Sequence, residues 1–103
     1  MSEPSQLTLA AFQQHIRDRY FAADSGRGTP ATFLWFIEEI GELATALHGV
    51  ARPDSDRPQR ENLEEEFADV LAWLCTLANI NEVDLAKAVR EKYLTGDGPE
   101  GHK

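Results

Sequence analysis

The sequence predicts an all-α fold, a bundle of four helices forming one domain over residues 1–103. Three features carry that expectation. Apolar residues recur at three- and four-residue spacing in the long segments, no stretch alternates for long as a half-buried strand does, and capping or breaking residues interrupt the chain at three places. Hydrophobic residues make up 42% of the chain, enough for a packed core at a length where one core suffices.

The first helix is predicted from Thr8 to about Ala23, with Leu9, Phe12, Ile16 and Tyr20 as its apolar stripe, and Ser25-Gly26-Arg27-Gly28 ends it. Thr29-Pro30 reads as a capping hydroxyl followed by proline at the first helical position. That second helix runs to about His48, with Gly49 as terminator. Val50 to Arg60 carries two prolines and no periodicity, so it reads as a connecting loop. Asn62, with Glu65 three residues later, reads as a capping box opening a third helix that lasts to about Ala78. Asn79 to Asn81 interrupts the chain, Asp84 caps a short fourth helix through Tyr93, and Gly96-Asp97-Gly98-Pro99 ends regular structure. Residues 1–7 and 95–103 are expected to be flexible.

Eighteen acidic against ten basic residues give a formal charge of −8. Such a surface repels a nucleic-acid backbone, which is bound by clustered Lys and Arg. It also repels a free nucleotide, so a phosphate ligand needs a cation between itself and the protein. Cys75 is the only cysteine, which excludes an internal disulfide and a Cys-rich metal site. Its apolar surroundings predict a buried, inert thiol. Met1 to Gln6 has neither the basic nor the hydrophobic region of a signal peptide, and no apolar run approaches the roughly 20 residues that span a bilayer. The expectation is a soluble, cytoplasmic protein with no nucleic-acid or membrane partner.

The second and third helices carry the chemistry. On the second, Phe36, Ile40, Leu43 and Leu47 form an apolar seam, and the neighbouring stripe is Trp35, Glu39, Glu42, Ala46. At about 100° per residue, Glu39 and Glu42 lie about 60° apart on the edge of the buried face, with Glu38 one turn before Glu42. On the third, Phe67, Leu71, Leu74 and Ala78 form a seam beside a second stripe of Leu63, Glu66, Val70, Trp73 and Leu77. Glu66 is therefore an acid at a core-type position, with Asp69 one turn on. Each of these acids alone could be a solvated helix-former. Taken together, antiparallel packing of the two helices would set four carboxylates face to face, which is costly unless a cation joins them. Ligands of oxygen alone select a hard ion, Mg²⁺ or Mn²⁺. His15, His48 and His102 have no companion at ligand spacing and read as surface or packing residues. Trp35 and Trp73 border the acidic stripe, as core residues or as platforms for a stacked base. With two broad apolar faces on its long helices, a chain this short is expected to associate as a dimer or larger.

Glu38-Glu39-Ile40-Gly41-Glu42, followed by Glu66-Phe67-Ala68-Asp69, resembles the paired E-E-x-x-E and E-x-x-D signature of MazG-type nucleotide pyrophosphohydrolases, over about Thr32 to Tyr93. The resemblance implies an all-α fold assembling as a dimer or dimer of dimers. It implies cleavage of a nucleoside triphosphate between its α and β phosphates to the monophosphate and pyrophosphate, a chemistry suited to clearing the nucleotide pool. Carried over by motif position, Glu39, Glu42, Glu66 and Asp69 would ligate Mg²⁺, and Glu38 would be the base acting on the attacking water. Lys92 would bind substrate phosphates. The sequence departs from the pattern at Thr95 and Gly96, where related proteins commonly place Asn or Arg.

Two other readings remain open. Phosphoribosyl-ATP pyrophosphohydrolases use similar carboxylates but tend to carry a Tyr-His pair soon after the aspartate, where this chain has Ala72-Trp73. A non-catalytic helical interaction or regulatory module would leave the acids solvated or on a structural ion.

Overall fold

The computed structural model of the chain describes residues 6–96. They form four helices, α1 (Leu9–Arg27), α2 (Thr29–Val50), α3 (Arg57–Ile80) and α4 (Leu85–Tyr93). The expected all-α bundle is the observed one. The expectations for residues 1–5 and 97–103, including His102, fall outside the described residues. No described helix is long and apolar enough to cross a membrane.

The Thr8 hydroxyl caps α1 as expected, accepting from the Ala11 N–H at 3.0 Å. The helix does not stop at Ala23. It continues through Ser25 and Gly26 because Asp24 and Arg27 pair across its last turn at 2.7 Å, and it ends where Gly28 takes φ +84°. That left-handed backbone favours glycine, and Gly28 closes α1 and opens α2 at once. Thr29 is therefore not a cap. Its hydroxyl instead accepts from the Asn81 amide at 3.2 Å, tying the α1–α2 corner to the end of α3.

The third helix is capped six residues earlier than the sequence suggests, at Asp56 rather than Asn62. Asp56 accepts from the Gln59 N–H and Gln59 returns an acceptor to the Asp56 N–H, at 2.9 and 2.8 Å. This is the capping box, in place of Asn62 and Glu65. Pro58 lies in the first turn of this helix, where proline gives up no intrahelical bond, so it starts the helix rather than breaking it. The connection to α2 shortens to residues 51–56. At the other end Asn79 does not interrupt α3. Its side chain is buried and exchanges hydrogen bonds with Gln13 of α1, accepting from the Gln13 amide at 2.9 Å and donating to the Gln13 carbonyl at 3.3 Å. The Gln13 amide also donates to the Val83 carbonyl at 2.7 Å, and its oxygen accepts from the Leu85 N–H at 3.0 Å, so one side chain joins α1, the α3–α4 turn and the start of α4. Asp84 caps α4 as expected.

α2 and α3 form an antiparallel hairpin in which Thr29 meets Asn81, Trp35 meets Trp73 and Gly49 meets Gln59. α1 packs across the C-terminal half of α3, and α4 rests on α1. The buried side of α3 holds Leu63, Cys75, Thr76, Ala78 and Asn79. Of the expected α3 seam only Ala78 is buried; Phe67, Leu71 and Leu74 face outward with 54%, 40% and 40% of their surface exposed. On α2, Leu34, Ile37, Ile40 and Leu47 are likewise exposed, because one neighbouring helix covers only one side of each. Cys75 is fully buried and its thiol pKa is raised by that burial, as expected of an inert core cysteine.

Candidate metal centre and active site

The antiparallel register of α2 and α3 decides which acids meet. Glu39 and Glu42, three residues apart on α2, come opposite Glu66 on the inward stripe of α3. One carboxylate oxygen from each of the three lies within 4.8 Å of the others. One carboxylate oxygen of Glu39 and one of Glu66 are buried with no hydrogen-bond donor. Burial raises the pKa of both, helped for Glu39 by the charges of Glu42, Asp69 and Glu66 and for Glu66 by those of Glu42, Asp69 and Glu65. Asp69 is exposed and stands outside the tight trio, but its charge reaches both Glu39 and Glu66. Mutually repelling carboxylates with donorless oxygens are unfavourable as they stand. A hard cation would satisfy the orphaned oxygens and cancel the repulsion together, and an all-oxygen donor set fits such an ion.

Glu38 is exposed on the outer edge of this group. It lines a shallow depression of about 400 Å³ together with Glu42, Glu66, Thr45 and Asn62. Asn62 is not the helix cap expected from the sequence. Because α3 begins earlier, Asn62 lies inside the helix one turn before Glu66, where its amide borders the carboxylates.

One turn from the acids, Trp35 and Trp73 stack with ring centroids 6.2 Å apart and planes 9° from parallel. Trp35 is half exposed, so the pair is neither core nor free surface. The Arg27 guanidinium sits 5.2 Å from the Trp73 ring centroid, held by Asp24 at 2.7 Å and by the Thr32 hydroxyl at 3.2 Å. Neither Asp24 nor Arg27 carried a sequence signal, because the segment containing them read as a helix break. Lys92 is not brought to the acids. It lies on α4, which packs chiefly on α1, and its ammonium rests over the Tyr93 ring at 5.4 Å. His15 stacks on Phe12 with ring centroids 6.5 Å apart and His48 is exposed on the last turn of α2, a packing and a surface residue respectively.

A family model for the MazG nucleotide pyrophosphohydrolase domain matches residues 28–94, from the start of α2 to just past α4. The match contains every carboxylate of the cluster and leaves α1 outside. No curated protein matches the chain.

Proposed function

The chain belongs to the MazG nucleotide pyrophosphohydrolase family, and from that premise we propose that it is a Mg²⁺-dependent nucleoside triphosphate pyrophosphohydrolase, with Mn²⁺ as a working substitute. The observation that carries this reading is the facing trio Glu39, Glu42 and Glu66, with two buried oxygens that no protein donor satisfies.

In this reading Glu39, Glu42, Glu66 and Asp69 hold the ion, whose contribution when bound is to neutralise phosphate charge and to polarise the reacting groups. Glu38, exposed beside them, orients the attacking water and takes its proton. A bond forms from the water oxygen to phosphorus as the α–β anhydride bond breaks, so the products are a nucleoside monophosphate and pyrophosphate. The Trp35–Trp73 pair lies one turn further along both helices, where the nucleoside end of the substrate would extend. Lys92 serves as a phosphate-binding point charge only by reaching a site other than the one α2 and α3 of its own chain build. That need, together with the exposed Phe67, Leu71 and Leu74, supports a homodimer or homotetramer as the working form.

The test is pyrophosphate release from a panel of common and damaged nucleoside triphosphates across a Mg²⁺ titration. Activity should vanish in excess chelator and return with Mg²⁺ or Mn²⁺. Full activity in chelator would remove the metal role; no release from any nucleotide would leave a non-catalytic helical module.

A further inference from the structure

Between α1 and α3 lies a cleft of about 330 Å³, bounded by Tyr20, Asp24 and Arg27 on one side and by Ala72, Trp73 and Thr76 on the other. Its size is at the lower end of small-molecule sites. The Asp24 side chain is only 6% exposed. One of its oxygens accepts from Arg27, and the other is buried with no donor at all. An acceptor left bare in this way calls for an N–H or O–H donor from outside the protein. Trp73 offers the cleft an aromatic wall.

The cleft is also in line with the carboxylates. Glu66, Asp69, Trp73 and Thr76 follow one another at three-, four- and three-residue spacing, a single stripe along α3. The cleft at Trp73 is thus about one helical turn, roughly 5.4 Å along the axis, from Asp69. A ribose and first phosphate bridge such a gap.

Resting on the pyrophosphohydrolase reading above, we propose that this cleft receives the nucleobase and selects bases that carry an exocyclic amine. The base lies against Trp73, and its amine donates to the unpartnered Asp24 oxygen. Arg27, held by Asp24 and one quarter exposed, shifts at the rim to admit the base and donates to its neighbouring ring acceptor. Cytosine and adenine present that donor beside an acceptor. Thymine and uracil present only a ring N–H flanked by two carbonyl oxygens, which a buried carboxylate repels. The wall that does the selecting is α1, outside the region shared with the family.

The test uses the full chain. Metal-free deoxycytidine, deoxyadenosine and thymidine are titrated against tryptophan fluorescence, and KM for dCTP, dATP and dTTP is measured by pyrophosphate release. Wild type should bind the two amine-bearing nucleosides at least about tenfold more tightly than thymidine. Asp24→Asn should erase that preference, mostly through KM. Equal binding of all three nucleosides by wild type overturns the assignment and requires no variant to fold. So does an Asp24→Asn chain that keeps the preference. Hydrolysis without base discrimination sinks this inference alone. Absence of hydrolysis with every nucleotide sinks the enzymatic reading, while the fluorescence titration still reports on the cleft.

Discussion

Glu39 of α2 and Glu66 of α3 approach within 4.8 Å, and each keeps one buried oxygen without a hydrogen-bond donor. Two like charges so placed oppose the fold that brings them together. Their protonation should therefore stabilise the metal-free chain. Both folded-state pKa values lie above the ordinary 4.5, for burial first and neighbouring carboxylates second. The folded state then holds protons that the unfolded state has released, so stability falls as pH rises. This contribution is fully present below pH 4.5 and is lost as pH climbs through the raised values. The Tm of the metal-free protein should drop across that window, and Glu39→Gln should flatten the drop. Added Mg²⁺ should stabilise more at the upper end, because its ligands bind deprotonated. A Tm that rises with pH in chelator, in the wild type and variant alike, would count against this.

Substitution of Glu66 separates a ligand from an ordinary helical acid. Glu66→Gln, or Glu66→Leu, should leave the metal-free protein as stable as wild type or more so, since a repelled carboxylate is replaced by a neutral group. The same variants should lose the thermal stabilisation Mg²⁺ gives wild type, and turnover should fall to background. Paired melting curves with and without Mg²⁺ decide it. Retained Mg²⁺ stabilisation in Glu66→Gln would defeat the assignment.

Glu38 borders the cluster without joining its tight trio. Glu38→Gln should keep helicity, Tm and the Mg²⁺-induced shift near wild type while turnover falls roughly a hundredfold or more, on the order of a lost general base. If turnover is unchanged, the base is another carboxylate.

The outward row Phe67, Leu71 and Leu74 should be covered in solution. Light scattering at micromolar concentration should give a dimer or tetramer, and Leu71→Glu should lower the mass without loss of helicity. A wild-type chain that runs as a monomer would refute assembly through this face.

Much of this protein was legible in the chain itself. Helical periodicity with few breaks determined the all-α class, and Thr8 and Asp84 marked helix starts correctly because an N-cap is a local bond within three residues. The spacing of Glu39 with Glu42, and the intrusion of Glu66 into an apolar stripe, identified the acids that meet. What the sequence could not fix were features whose partners are distant. Asn79 looked like a break until Gln13, far away in the chain, took up its amide, and Thr29 looked like a cap until Asn81 claimed its hydroxyl. The apolar seam Phe67–Leu71–Leu74 was correctly seen as hydrophobic but not as outward-facing, since periodicity shows that a face is apolar and not which neighbour covers it. Asp24 and Arg27 form part of a cleft only because α1 continues to Gly28 and lies across α3. Local bonds are written in local sequence; which side chains are left facing one another, satisfied or bare, is decided by packing between helices.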